Sequence, residues 1–324
     1  MSAMFQYSGA IAIGFILLIW AAERFVVGSS GIARNLGVPP LIIGLTIVGF
    51  GTSAPEIFVS AIASWQGSPT LGIGNAIGSN ITNVGLILGL TALITPLTVQ
   101  SETLKREFPI LLVIMLVVWL LIQDKDLSRV DGLILFTGLL GMLYWMVRLA
   151  KRSRVSDPMQ AEYAAEMPEA LPMPGAILWF VIGLVGLMVS SRILVWGAVN
   201  IAQSLGVSDL VIGLTIVAIG TSLPELAASI VSALKNEHDI AIGNVLGSNM
   251  YNLLAVMSLP GLIAPSTLPA SLLSRDYSVM LLFTIILFVM AYGFKGSGRL
   301  NRIEGLGLLC LFLAYEYWIF LSAM

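Results

Sequence analysis

The sequence predicts an all-α integral membrane protein whose ten transmembrane helices form two inverted five-helix repeats, and three observations carry that expectation. Of its 324 residues 57% are hydrophobic and 10% charged, and the mean hydropathy is +0.95; a soluble fold needs more charge than this to cover its surface. Apolar stretches long enough to cross a hydrocarbon core of roughly 30 Å recur along the chain, and they are continuous, as in helices, where barrel strands would alternate. Finally, thirteen residues at 44–56, GLTIVGFGTSAPE, return at 213–225 as GLTIVAIGTSLPE with ten of thirteen positions unchanged.

Cutting the apolar runs at proline, glycine and charge clusters places spans at 7–33, 40–65, 70–95, 106–122, 129–149, 175–203, 209–234, 239–263, 277–294 and 301–322. The first has no basic residue before it and no small-residue cleavage site, so it is expected to remain as a span rather than be removed as a leader. The second and seventh carry the two copies of the thirteen-residue repeat. The third and eighth carry GNAIGSNITN at 74–83 and GNVLGSNMYN at 243–252. The fourth and ninth open on Arg106-Glu107 and Arg275-Asp276, and the fifth and tenth on RVDG at 129–132 and RIEG at 302–305. A shift of 169 relates these pairs through the fourth span, and a shift of 173 relates the last pair after a short loop insertion.

The chain thus divides into a first five-helix repeat at 1–150, with its motif pair at 40–95, and a second at 175–324, with its motif pair at 209–263. Between them lies a polar linker at 151–174, basic at its start and then acidic. Because five is odd, the second repeat enters the membrane from the opposite side, the arrangement of many secondary transporters. Basic residues test the count, since cytoplasmic loops carry the excess. Eleven fall after odd-numbered spans (Arg34, Lys105, Arg106, Arg148, Lys151, Arg152, Arg154, Lys235, Lys295, Arg299 and Arg302), and three after even-numbered ones (Lys125, Arg129 and Arg275). That asymmetry makes the linker cytoplasmic and puts both termini on the other side.

Each thirteen-residue copy buries an acid, Glu56 or Glu225, in an apolar run. On the insertion scale this costs ~2.5 to 3.5 kcal/mol at a bilayer centre, so both acids should face a shared polar cavity. Thr52 and Ser53 precede Glu56 by four and three residues, hence share its helical face, and Thr221 and Ser222 repeat the set around Glu225. Pro55 and Pro224 lack an N–H and should free nearby carbonyls. Carboxylate, hydroxyl and backbone oxygens are the hard ligands that Ca2+ takes, typically about 6–8 of them. Asn75, Ser79 and Asn83 recur at intervals of four, as do Asn244, Ser248 and Asn252, and add a stripe of neutral oxygens suited to Na+ as well as Ca2+. An isolated Ser or Thr in a span commonly bonds back to its own helix; duplication beside a proline and an acid argues for ligands. The glycines at 74, 78, 85 and 89 read as close-packing positions.

These residues resemble the cation:calcium antiporters, specifically the prokaryotic type of the sodium/calcium exchanger branch. GTSAPE with GNAIGSNITN and GTSLPE with GNVLGSNMYN look like its two α-repeats, over nearly the whole chain. The resemblance implies a ten-span fold with four ion sites at the repeat interface. Its ligands fall on Thr52, Ser53, Glu56, Ser79, Asn83, Thr221, Ser222, Glu225, Ser248 and Asn252, with backbone oxygens from Gly49 and Ala218. It also implies that the first and sixth spans slide past the remainder to alternate access. Some relatives carry Asp where Asn252 stands, so ion stoichiometry does not carry over. Proton-coupled cousins carry a glutamate where this chain has Gly-Ser-Asn, which favours Na+ over H+. The short linker is not the large calcium-sensing domain of animal exchangers, and Glu23 aligns with Arg192 where the family often shows two acids.

The expected function is secondary active antiport of Na+ for Ca2+ by alternating access, directed to Ca2+ efflux across a prokaryotic plasma (inner) membrane. Coupling to H+ or K+, or transport of Mn2+, is the alternative within transport. A remote one is an intramembrane carboxylate dyad acting as a hydrolase, opposed by the lack of a GxGD motif. No enzymatic activity is expected and no cofactor, the ions being cargo; Na+, Ca2+ and the bilayer are the partners, with no nucleic acid and no obligate protein partner. Cys310 alone makes no disulfide or Cys/His site. His238, between Glu237 and Asp239, reads as a solvated turn, and Glu23, Arg24 and Arg192 as charges near a membrane edge.

Overall fold

A computed structural model describes residues 2–38, 46, 49–99, 102–152, 171–291 and 298–323. The first helix, α1 (Ser2–Asn35), is continuous. The expected second span begins outside the described residues and then appears as two pieces, α2 (Gly49–Thr52) and α3 (Ala54–Trp65). There follow α4 (Pro69–Ile94), α5 (Glu102–Leu121), α6 (Arg129–Arg152) and α7 (Met173–Leu205). The seventh expected span is again two pieces, α8 (Asp209–Thr221) and α9 (Leu223–Leu234), bent by 40° at Ser222. Last come α10 (His238–Ile263), α11 (Leu272–Ala291) and α12 (Arg302–Ala323). Seven of these helices are long and apolar enough to cross a membrane, and the bent pair makes an eighth. Most of the linker expected at 151–174 lies outside the described residues, as do Lys295 and most of the GLTIV stretch at 44–48.

The two glycine- and asparagine-rich helices form the centre. In α4 and α10, 78% and 100% of the most apolar stretch is buried, against 28% for α1 and α7. Small residues make this possible. A Cβ on Gly78 would stand 2.5 Å from the carbonyl oxygen of Leu214, and one on Gly74 2.6 Å from that of Leu210, so α8 lies directly on the backbone of α4. The long helices α1 and α7 pack on each other in opposite directions: Gly14 meets Leu194, Gly28 meets Phe180 and Gly197 meets Ala10. Glycine again lets the two backbones approach.

The all-α expectation needs one correction. Four short strands, β1 (Leu97–Val99), β2 (Asp126–Leu127), β3 (Ser266–Thr267) and β4 (Gly298–Leu300), form two antiparallel ribbons, β1 with β4 and β2 with β3. Segments of two or three residues carry no readable alternation, and their pairing satisfies backbone groups in loops. His238 is also corrected: it opens α10 rather than lying in a solvated turn, and its Nδ1 accepts from the Thr98 N–H at 3.3 Å and meets Thr98 Oγ1 at 2.9 Å. Arg24 sits 4.8 Å from the Trp179 ring centre and 5.8 Å from that of Trp20. Its cation therefore faces aromatic faces between α1 and α7.

The ribbon register gives a direct check. With Cys310 replaced by Ser, Thr98→Cys and Arg299→Cys, which are Cα partners, should form a disulfide in membranes under mild oxidation, read by a mobility shift. Failure to cross-link would disprove the pairing.

Candidate cation site

Both acids sit in the first turn of a new helix. The chain breaks at Ser53 (φ −82°, ψ 2°) and at Ser222 (φ −84°, ψ 5°), and α3 and α9 restart with Pro55 and Pro224 in their opening turns. A proline there loses no hydrogen bond. Glu56 and Glu225 follow at once, where the positive end of the helix dipole favours a carboxylate. The prolines therefore start helices instead of freeing the carbonyls named from sequence: Gly49 O accepts from Ser53 N at 3.3 Å and Ala218 O from Ser222 N at 3.1 Å. Those carbonyls belong to the C-terminal turns of α2 and α8, and each is also reached by a threonine hydroxyl of its own turn, Thr52 Oγ1 at 3.1 Å from Gly49 O and Thr221 Oγ1 at 3.4 Å from Ala218 O. Such turns carry the partial negative charge that half-helices present to cations.

Ten of the twelve residues named from sequence, all but Asn83 and Asn252, are linked by hydrogen bonds around these breaks, several of them crosswise between halves. Thr52 Oγ1 donates to Asn244 Oδ1 at 3.3 Å, and Thr221 Oγ1 donates to Asn75 Oδ1 at 3.1 Å. Asn75 Nδ2 donates to the Glu56 carbonyl at 3.4 Å and Asn244 Nδ2 to that of Glu225 at 3.5 Å. Each threonine thus reaches an amide that is anchored to the acid of the other motif. Around the carboxylates the two halves differ. Ser248 donates to Glu225 Oε1 at 3.0 Å and lies 3.0 Å from Ser53 Oγ. Ser222 donates to Glu56 Oε1 at 3.3 Å, while Ser79 donates to Asn75 Oδ1 at 3.5 Å.

Asn83 and Asn252 occupy one more matched position. At each, the helix widens from α into π turns, Asn83–Leu88 and Asn252–Val256, a local distortion frequent at functional sites. Asn83 Nδ2 donates to Asn249 Oδ1 at 3.0 Å, and Asn252 Nδ2 donates to Asn80 Oδ1 at 3.0 Å. Sequence reasoning missed Asn80 and Asn249. Their signal was identity in both GSN triplets, and they were passed over because they lie off the stripe of every fourth residue.

Among the twelve site residues named from sequence, four buried side-chain oxygens have no hydrogen-bond partner among the described residues: Glu56 Oε2, Glu225 Oε2, Asn83 Oδ1 and Asn252 Oδ1. They form two repeat-related pairs, all are acceptors, and their residues are at most 1% exposed. Unsatisfied buried acceptors of this kind are costly unless a cation or its water completes them. No group of three or more His, Cys, Asp or Glu occurs among the described residues, so the arrangement offers two carboxylates within a shell of neutral oxygens.

The whole-chain comparisons agree with one another. The family model for sodium/calcium exchanger protein matches residues 7–148 and 175–321. CaxA of Alkalimonas amylolytica is 49% identical over 312 residues, 96% of this chain and 98% of that one. The inner membrane protein YrbG of Escherichia coli is 41% identical over 322 residues, 98% of each chain. Among solved structures, the sodium-calcium exchanger NCX_Mj soaked with Na+ and Sr2+ superposes with a TM-score of 0.67 at 33% identity, over 96% of this chain and 97% of its own. With a family model spanning both halves and relatives covered end to end, this chain belongs to the sodium/calcium exchanger family.

Proposed function

We propose that the protein exchanges Na+ for Ca2+ across a prokaryotic inner membrane by alternating access, running toward Ca2+ efflux, with Glu56 and Glu225 binding either cargo in turn. The observation that carries this is the set of four unpartnered buried oxygens, two of them from carboxylates. About two negative charges suit one Ca2+ or two or more Na+, and an empty site leaves the two acids facing each other uncompensated. Thr52, Ser53, Ser79, Asn83, Thr221, Ser222, Ser248 and Asn252, with the Gly49 and Ala218 carbonyls, supply neutral oxygens that let both ions leave.

Ten spans in two inverted halves, 1–150 and 175–324, joined by the cytoplasmic linker at 151–174, are part of the same proposal. The opposed directions of α1 and α7 are what inversion requires of the leading span in each half. The ribbons add a parity argument: β1 follows the third span and β4 the ninth, both odd, while β2 follows the fourth and β3 the eighth, both even. Strands pair only on one side of a membrane. With the excess of basic residues after odd-numbered spans marking the cytoplasmic side, both termini lie outside the cytoplasm in this reading. α1 also touches both motifs, Val26 lying on Gly51 and Phe15 on Gly220, contacts that a sliding first span would have to move across.

Proteoliposomes loaded with Na+ are expected to accumulate labelled Ca2+ from a Na+-free bath, and collapsing the Na+ gradient should stop it. If three Na+ move per Ca2+, an inside-positive or inside-negative potential changes the driving force by ~2.3 kcal/mol per 100 mV. Uptake driven equally well by a H+ or K+ gradient would reject Na+ coupling in favour of the alternative.

A further inference from the structure

We propose that Asn80 is a positioning residue that determines which end of the Asn252 amide faces the bound cation; this rests on the exchange site described above. The oxygen and nitrogen of an amide are nearly the same size, so packing alone does not choose between them. Hydrogen bonding does. A flipped amide would aim its partial positive charge at the ion.

The orientation of Asn80 is set first. Its Nδ2 donates to the backbone oxygen of Asn249 at 3.3 Å and lies 3.4 Å from Met280 Sδ, which leaves Oδ1 as the atom turned toward Asn252. That oxygen accepts from Asn252 Nδ2 at 3.0 Å, and Asn249 Oδ1 accepts from Asn83 Nδ2 at the same 3.0 Å. The Asn83 and Asn252 NH2 groups each have a partner, and Asn83 Oδ1 and Asn252 Oδ1 remain buried without a hydrogen-bond partner among the described residues. Asn80, anchored by its own NH2, thereby sets the polarity of the Asn252 amide, whereas Asn249 Nδ2 is buried without a hydrogen-bond partner among the described residues and gives Asn83 no such anchor. The clasp lies where α4 and α10 cross, with Asn80 and Asn249 at 2% and 0% exposure, so water does not substitute for it.

The test compares Asn80→Leu, which keeps the size but removes the acceptor, with Asn80→Asp, which keeps an acceptor for Asn252. The Ca2+ dissociation constant of the purified protein and the KM of Ca2+ uptake in proteoliposomes are measured together. Leaving one buried amide free to flip is expected to raise both values in Asn80→Leu by about tenfold or more, with kcat changed much less, and Asn80→Asp should return them to the wild-type value or below. Combining Asn80→Leu with Asn252→Leu should be no worse than Asn252→Leu alone, because the clasp acts through that amide. Full additivity, or an Asp variant as weak as the Leu variant, would overturn the proposal. Should Asn80→Leu not accumulate in membranes, Asn80→Ala read against Asn252→Ala makes the same comparison. A wild-type protein that binds Ca2+ without exchanging it for Na+ would defeat the exchange reading, with the clasp still judged by affinity; one that binds no Ca2+ would overturn both.

Discussion

Glu56→Gln and Glu225→Gln should each reduce Na+-driven Ca2+ uptake more than about a hundredfold while leaving a folded protein, since breaking up a buried charge constellation is worth several kcal/mol. Each acid keeps one oxygen without a partner among the described residues and holds the other through a serine, Ser222 for Glu56 and Ser248 for Glu225. Glutamine preserves the volume and can still accept from those serines, so the fold has little to lose. It has something to gain, because two buried like charges with no cation destabilise the ion-free protein. Thermal unfolding in detergent is the companion measurement. Wild type should gain stability from Ca2+, by about 2.7 kcal/mol at a hundred times the dissociation constant. The Gln variants should start more stable without ions and gain almost nothing from Ca2+. A Gln variant that still transports would remove the carboxylates from the site.

Gly78→Val should cost ~1–3 kcal/mol or more of stability and most of the transport activity, because overpacking forces backbone apart where nothing flexible can yield. The space at Gly78 is closed by the carbonyl oxygen of Leu214 at 2.5 Å, its Cα at 2.7 Å and the Cβ of Ala218 at 2.8 Å. Ala218 is the residue whose carbonyl ends α8 beside Thr221, so the displacement reaches the site directly. Gly141, with nothing within 4 Å of an added Cβ, is the control: Gly141→Ala should leave uptake unchanged, and both variants are read by the same uptake assay and by detergent melting.

The parts of this molecule that were legible from sequence are those that a bilayer makes expensive. Glu56 and Glu225 in apolar runs, with hydroxyls three and four residues before them, stood out because no spanning helix needs them, and the structure buries both beside serine hydroxyls, Ser222 and Ser248. Apolar length also located most of the described long helices, though not the break at Ser222 inside 209–234. What the sequence could not carry was long-range pairing. Thr52 finds Asn244 and Thr221 finds Asn75 across halves, which local periodicity does not encode. Asn80 and Asn249 point sideways from the stripe that suggested ligands, and only the crossing of α4 and α10 brings them onto Asn252 and Asn83. The ribbons escaped because LTV, DL, ST and GRL are too short to show a period. Pro55 was read as freeing carbonyls inside a helix, whereas the break at Ser53 lets it begin a new one; a sequence shows the proline but not the φ and ψ before it.

The central claim is that Na+ and Ca2+ occupy one site between Glu56 and Glu225 and exclude one another. Equilibrium Ca2+ binding to the purified protein, titrated with Na+ at constant ionic strength, tests it most directly. The apparent dissociation constant for Ca2+ should rise with Na+ with a logarithmic slope above one, since more than one Na+ replaces each Ca2+. A Ca2+ affinity that does not change with Na+ would contradict the account.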